Sequence, residues 1–176
     1  MKVLVTGGVR SGKSFHAESL LLNERAVTYV APGPSVEEDP DPDWAARVAA
    51  HQSRRPAHWT TVETRDLATT ISEAEGAVII DCLGTWLSAL LDELDVWDAV
   101  REDWEPKVMA RVESALEAWR ESRATLVAVT NEVGMGIVPS HRSGRLFRDL
   151  LGTINQKFAA ECDQVLLVVA GRTLSL

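Results

Sequence analysis

"VLVTGGVRSGKSFHAESLLL" (residues 3–22) joins an apolar run to a helical pattern through Gly7-Gly8, a basic residue and Gly12-Lys13-Ser14. So much backbone freedom directly after a buried strand suits a bound phosphate. Glycines let the chain wrap with its N–H groups pointing inward, and the following helix turns its positive N-terminus toward the anion. Gly7, Gly8, Val9, Arg10, Ser11, Gly12, Lys13 and Ser14 satisfy G-x-x-x-x-G-K-[ST] in full, in the strand–turn–helix context that the motif requires. Lys13 is placed to reach the β- and γ-phosphates and the Ser14 hydroxyl to ligate Mg²⁺. Arg10 and Ser11 either add donors or are plain loop side chains. The bland alternative for the whole stretch is a Gly-rich βα turn.

Outward from this loop, apolar runs alternate with helical patterns. "KVLVT" (2–6), "AVTYVA" (26–31), "AVIID" (77–81), "ATLVAVT" (124–130) and "DQVLLVVA" (163–170) read as strands buried on both faces. Helices are expected over 12–23, 42–52, 104–121 and 143–161; in the third, Trp104, Val108, Val112, Leu116 and Trp119 share one face. "SRRPAHWTTVE" (53–63) is expected to lead into a strand, and "PGPSVEEDPDPD" (32–43) to be a mobile acidic loop. A turn at Gly171-Arg172 precedes a short antiparallel edge strand. The expected architecture is a single α/β domain over 1–176, a RecA-like P-loop NTPase with a doubly wound, mostly parallel sheet.

Composition narrows the function classes. The 176 residues carry a net charge of −8, with 45% hydrophobic and 25% charged residues, which argues against a general nucleic-acid binder. No apolar run approaches the ~20 residues of a membrane span, and the N-terminus runs straight into the phosphate motif rather than reading as a signal peptide. Cys82 and Cys162 lack metal-ligand spacing and are expected as buried free thiols in a reducing cytoplasm; a catalytic cysteine is the weaker alternative.

Three further groups of residues carry chemistry. Asp81 follows four apolar residues and is expected to hold Mg²⁺; its alternative is a cap on the next segment. His51 lies at a helix end among Arg47, Arg54 and Arg55. Neighbouring cations favour a neutral imidazole with a free lone pair and gather phosphates around it, as a histidine that attacks phosphorus needs. A solvated basic helix end is the alternative. Asn131 and Glu132 end a strand where doubly wound sheets bind ligands. Arg142, Arg145 and Arg148 line a helix face, either toward a phosphate or partner or paired with acids such as Asp149.

Nearly the whole chain resembles the bifunctional adenosylcobinamide kinase / adenosylcobinamide-phosphate guanylyltransferase family of cobalamin biosynthesis. The resemblance rests on "LVTGGVRSGKS", "YVA", "RVAAHQSRRPAHWTTVE", "IIDCLGTWLSALL" and "VTNEVGMGIVPSHRSGRLFRDLLGTINQKFAAECDQVLLVVAG". It implies phosphorylation of the aminopropanol hydroxyl of adenosylcobinamide by ATP or GTP, then transfer of GMP from GTP through a guanylyl-histidine. It implies that His51, rather than the nearby His58, is that histidine. It also implies nucleotide contacts from residues 7–14, Gly33, Pro34, Ser35, Gln52, Ser53, Arg54, Arg55, Glu63 and Asp81, Mg²⁺ with the nucleotide, and a ring-like homotrimer. The chain departs from the family's usual Ala-Thr after "YVA", carrying Ala31-Pro32-Gly33-Pro34 and an acidic insertion. Trp86, Trp97 and Trp104 fit a core or an interface. The competing readings are a P-loop small-molecule kinase that forms no covalent nucleotide, and a RecA-like ATPase acting on a protein partner.

Overall fold

The computed structural model spans Met1–Leu176. Seven strands form one sheet: β1 (Lys2–Gly7), β2 (Val27–Ala31), β3 (Thr60–Glu63), β4 (Ala77–Asp81), β5 (Leu126–Asn131), β6 (Gln164–Val169) and β7 (Arg172–Ser175). Their order is β3-β2-β4-β5-β1-β6-β7. All neighbours are parallel except β6 and β7, which form the antiparallel edge expected after Gly171. The helices are α1 (Lys13–Ser19), α2 (Pro42–Arg54), α3 (Leu67–Glu73), α4 (Leu83–Glu93), α5 (Arg101–Glu121) and α6 (Arg142–Ala160).

Side-chain alternation explains why the strands read as unbroken apolar runs. Leu4, Val30, Val78, Ile80, Leu126 and Ala128 face α3–α6, while Val3, Val5, Val27, Tyr29, Ile79, Val127 and Val129 face α1. Both faces are buried, so the period of two is hidden in the sequence. On the larger side α5 buries Trp104, Val108, Val112, Leu116 and Trp119, and Trp119 meets Phe158 of α6 edge to face at 5.4 Å. Trp86 and Trp104 are core residues; Trp97 is half-buried and donates to Asp92 Oδ1 at 2.7 Å.

Several elements differ from the sequence expectations. The first helix ends at Ser19, short of residue 23, because Leu20–Asn23 leave the helical path as turns. α2 runs on to Arg54, and α5 starts at Arg101. Two helices were not anticipated. α3 is only seven residues long, below the length at which periodicity speaks. α4 is apolar almost all round, burying Leu83, Trp86, Leu87, Leu90 and Leu91, so it lacks an amphipathic stripe. The acidic stretch 32–43 carries local bonds: Ser35 and Glu38 exchange side chain-to-backbone hydrogen bonds, Arg65 pairs with Glu38, and Asp41 caps α2 ahead of Pro42. Cys82 is buried, but Cys162 is only half-buried, its thiol pKa pushed up to about 12 by burial.

α3 depends on its cap. Asp66 accepts from the Thr69 N–H at 3.1 Å, and this backbone bond holds its carboxyl below the usual aspartate range. Asp66→Ala is expected to cost about 1 kcal/mol. Because the folded-state pKa is depressed, the contribution is complete above the ordinary aspartate pKa of about 4 and fades as pH falls through the lower folded value. Urea melts of both proteins at neutral and at acidic pH check this: the difference should shrink on acidification.

Candidate active site

The carboxyl ends of β1, β2, β4 and β5 converge on one cleft. Register brings Gly7 opposite Asn131, and Asp81 opposite Val129. The cleft has a volume of about 570 Å³, the size range of small-molecule and cofactor pockets. Arg10, Ser11, Gly12, Lys13 and Ser14 form its floor; Gly33, Pro34 and Ser35 form one wall; His51, Gln52, Arg54, Arg55, Glu63 and Asp81 form the other. Of the nucleotide contacts that the resemblance implies, three lie outside its lining. Gly7 and Gly8 shape the loop from behind, and Ser53 turns back to donate to the Ala50 carbonyl at 3.1 Å. Five cationic side chains (Arg10, Lys13, Arg47, Arg54, Arg55) face two carboxylates (Glu63, Asp81) across the cleft. A chain of net charge −8 thus concentrates positive charge where a polyphosphate would sit.

Close packing fixes the phosphate loop. A Cβ on Gly7 would lie 2.4 Å from the Val168 carbonyl oxygen and 2.7 Å from Ser11 Oγ. Gly12 sits at φ 95°, in the left-handed region, and leans on Gly171 of the β6–β7 turn, whose N–H donates to the Ser11 carbonyl at 2.8 Å. Lys13 Nζ donates to the Gly8 carbonyl at 3.1 Å. Burial lowers the Lys13 pKa, with Cys82 and Asp81 opposing that shift and Arg47 adding to it.

His51 is drawn to the strand ends by a polar cluster. Its Nδ1 lies 3.3 Å from Asp81 Oδ2, 3.4 Å from the Tyr29 hydroxyl and 3.4 Å from Arg54 Nη2. Tyr29 donates to Asp81 Oδ2 at 2.7 Å. Burial raises the Asp81 pKa, but the nearby His51 imidazole, the Tyr29 hydroxyl and the Ser14 hydroxyl together outweigh it, so the carboxyl is held below its usual range. Burial beside Asp81 drives the Tyr29 phenol strongly upward, so it stays protonated. Arg54 forks onto Glu18 of α1 at 2.9 and 3.2 Å, and Glu18 is buried. The Arg55 guanidinium lies over the Tyr29 ring, 3.5 Å from its centroid. His58 is exposed in the turn before β3 and does not line the cleft.

The third sequence cluster divides. Asn131 lines the cleft, whereas Glu132 folds back on the Gly134 N–H. Arg142, Arg145 and Arg148 neither line the cleft nor form an ion pair with an acid. They donate to backbone carbonyls, Arg142 to Trp97 and Ala99, Arg145 to Pro139 and Ser140, and Arg148 to Gly136, clamping the loops around the start of α6. Backbone carbonyl partners cannot be read from side-chain identity. Tyr29, Glu18, Trp44 and Thr85 are site residues that the motifs did not flag. A signal for Tyr29 existed: it is the one titratable side chain in β2, on the same alternation as the buried Val27.

Residues 3–176 match the family model described as cobinamide kinase / cobinamide phosphate guanyltransferase. The chain belongs to this family. It is similar to the bifunctional adenosylcobalamin biosynthesis protein CobU of Salmonella typhimurium, at 41% identity over 97% of both chains. It is also similar to CobU of Escherichia coli, at 39% over 97% of both, and to CobP of Pseudomonas aeruginosa, at 37% over all of this chain and 97% of the other. In fold it is similar to a prototypical ATPase from the type III secretion system of pathogenic bacteria, with a TM-score of 0.61 and 11% identity, over 99% of this chain and 56% of that one. That likeness supports the P-loop NTPase architecture.

In this family member, adjacent glycines of the loop should answer differently to one methyl group. Gly7→Ala forces a Cβ against backbone and is expected to cost about 1–3 kcal/mol and to weaken nucleotide binding. Gly8→Ala meets nothing within 4 Å and should unfold within about 0.5 kcal/mol of wild type. Urea melts, with a fluorescent GTP analogue titrated into each variant, check the pair.

Proposed function

We propose that the chain phosphorylates the aminopropanol hydroxyl of adenosylcobinamide with ATP or GTP, then transfers GMP from GTP to that product through a guanylyl-histidine at His51. The observation that carries the reading is the meeting of a complete phosphate loop and His51 in one cleft, in a chain whose family description pairs a kinase with a guanyltransferase.

The kinase step uses positioning and charge. Lys13 and the loop N–H groups hold the β- and γ-phosphates, and the flanking arginines offset charge as the γ-phosphoryl group leaves. Ser14 and Asp81 offer hard oxygen donors close together, a donor set that fits Mg²⁺. They would hold the ion, which supplies neutralisation of the phosphate charge.

The transfer step is two displacements. The His51 Nε2 lone pair attacks the α-phosphorus of GTP. A nitrogen–phosphorus bond forms, the bond from the α-phosphorus to its β-bridging oxygen breaks, and pyrophosphate leaves with the electron pair. A phosphate oxygen of the acceptor then attacks the same phosphorus, and the electrons of the nitrogen–phosphorus bond return to Nε2. Throughout, Asp81 faces Nδ1 at 3.3 Å and stabilises the positive charge that develops on the ring. A neutral nucleophile avoids setting one phosphate anion directly against another. Gln52, Arg54, Arg55 and Glu63, beside His51 in the cleft wall, are the proposed further nucleotide contacts.

Incubation with GTP and Mg²⁺, denaturation and intact mass spectrometry test this reading. Wild type and His58→Ala should gain one GMP, in an acid-labile and base-stable linkage. His51→Ala should gain none while still passing γ-phosphate to adenosylcobinamide. A wild-type protein that moves γ-phosphate but forms no adduct would be a kinase alone.

A further inference from the structure

We propose that Asn131 is a further catalytic residue of the kinase step, its side-chain amide aligning the acceptor hydroxyl with the γ-phosphorus. The inference rests on the reading of the cleft as a kinase site. In the sheet, β5 lies directly between β1, which opens the phosphate loop, and β4, which ends in Asp81. Asn131 is the last residue of β5, opposite Gly7, and it lines the cleft. Its main chain is fixed on both sides. The Asn131 carbonyl accepts from Asn155 Nδ2 of α6 at 3.1 Å, and Asn155 Oδ1 accepts from the buried Thr130 hydroxyl at 2.6 Å. The following N–H, of Glu132, donates to the Gly7 carbonyl at 3.2 Å. All of these bonds bypass the Asn131 side chain. Its amide stays available on a rigid mount beside the phosphate loop.

Phosphoryl transfer to an alcohol needs a group that accepts a hydrogen bond from the hydroxyl and so turns an oxygen lone pair toward phosphorus. The cations of the cleft cannot do this, because they only donate. Its two carboxylates are poorly placed. Asp81 accepts from Tyr29 and is the proposed metal ligand. Glu63 ends β3, four strand steps from β1, or about 19 Å at the usual strand spacing. The Asn131 amide offers one acceptor and one donor group. Its oxygen accepts from the incoming hydroxyl, and its NH₂ donates to a γ-phosphoryl oxygen. In the step itself, a bond forms between the hydroxyl oxygen and the γ-phosphorus. The bond from that phosphorus to the β–γ bridging oxygen breaks, and the nucleoside diphosphate leaves with the electron pair. The hydroxyl proton, made acidic by the new bond, passes to an oxygen of the transferred phosphoryl group. Asn131 neither gains nor loses a proton.

The test follows both reactions in Asn131→Ala and in the near-isosteric Asn131→Asp. In single turnover, γ-phosphate transfer from GTP to adenosylcobinamide by Asn131→Ala should slow about 100-fold, at about tenfold for each of two hydrogen bonds. Asn131→Asp should slow at least as far, because its carboxylate sets an anion against the γ-phosphate. Formation of the GMP adduct involves no acceptor hydroxyl, so in Asn131→Ala it should slow by about tenfold at most. A readout on the wild type stands beside these rates. The chain has three asparagines, Asn23, Asn131 and Asn155. In protein labelled with ¹⁵N-asparagine, the side-chain signals lost in Asn131→Asp belong to Asn131. They should shift when adenosylcobinamide joins the wild-type complex with Mg²⁺ and the β,γ-imido analogue of GTP. An Asn131 amide that does not respond to the acceptor overturns the proposal. So does γ-phosphate transfer by Asn131→Ala within about threefold of wild type, or an equal fall in both reactions. Wild-type protein that passes no γ-phosphate to adenosylcobinamide would sink the kinase reading and this proposal together, whereas a working kinase indifferent to Asn131 sinks the proposal alone.

Discussion

A carboxylate at the end of a buried strand must find hydrogen bonds or give up its charge, and the site is built around how Asp81 meets that demand. β4 delivers Asp81 from an apolar run, with its side chain 7% exposed. β2, its parallel neighbour, places Tyr29 on the same face one diagonal step away, because Tyr29 pairs with Ile79 and both strands alternate with a period of two. Ser14 approaches from the start of α1 and His51 from the end of α2. One anion thus ties together the phosphate loop, the sheet and the helix that carries the proposed nucleophile.

This matters because α2 has little else to hold it. None of its residues is fully buried, so it gains less from the hydrophobic effect than the other long helices do. Its attachments are directional. Trp44 Nε1 donates to the Pro34 carbonyl at 3.1 Å, Arg54 forks onto Glu18, and beyond the helix end Arg55 stacks on Tyr29 and donates to Thr61 at 2.9 Å. Polar anchors fix direction better than apolar contact does, and a nucleophile needs direction. The cations that hold α2 also line the cleft.

The sequence exposed the parts of this arrangement that local rules govern. The phosphate loop obeys a motif because each glycine answers a backbone constraint, as Gly7 against Val168 shows. The five long strands were legible as apolar runs, and the antiparallel β7 from its glycine turn. His51 stood out because a histidine among arginines is unusual, although its role came from family resemblance rather than spacing. What stayed hidden depends on contacts between distant segments. Glu18 belongs to no motif, yet it is buried beneath Arg54, 36 positions away. Tyr29 donates to Asp81, 52 positions on, a pairing that no local pattern reveals. α4 escaped because a helix buried on nearly all sides has no polar face to announce its period.

The cleft also bears on how one phosphate loop can serve chemistry at two different phosphorus atoms. The γ-phosphoryl group leaves toward an acceptor hydroxyl; the α-phosphorus must be met by an imidazole. These centres are separated along one polyphosphate, so their reagents can stand at different places along a single cleft. Lys13 lies on the floor and His51 in the wall beyond Asp81, and Asp81 touches the surroundings of both, electrostatically through Lys13 and directly through His51. A carboxylate shared in this way couples the two centres. Any change that draws its charge toward the loop weakens its hold on the imidazole. The Tyr29 hydroxyl donates to the oxygen that faces His51, so the orientation of the whole carboxylate, and with it the direction of its charge, is set in part from β2.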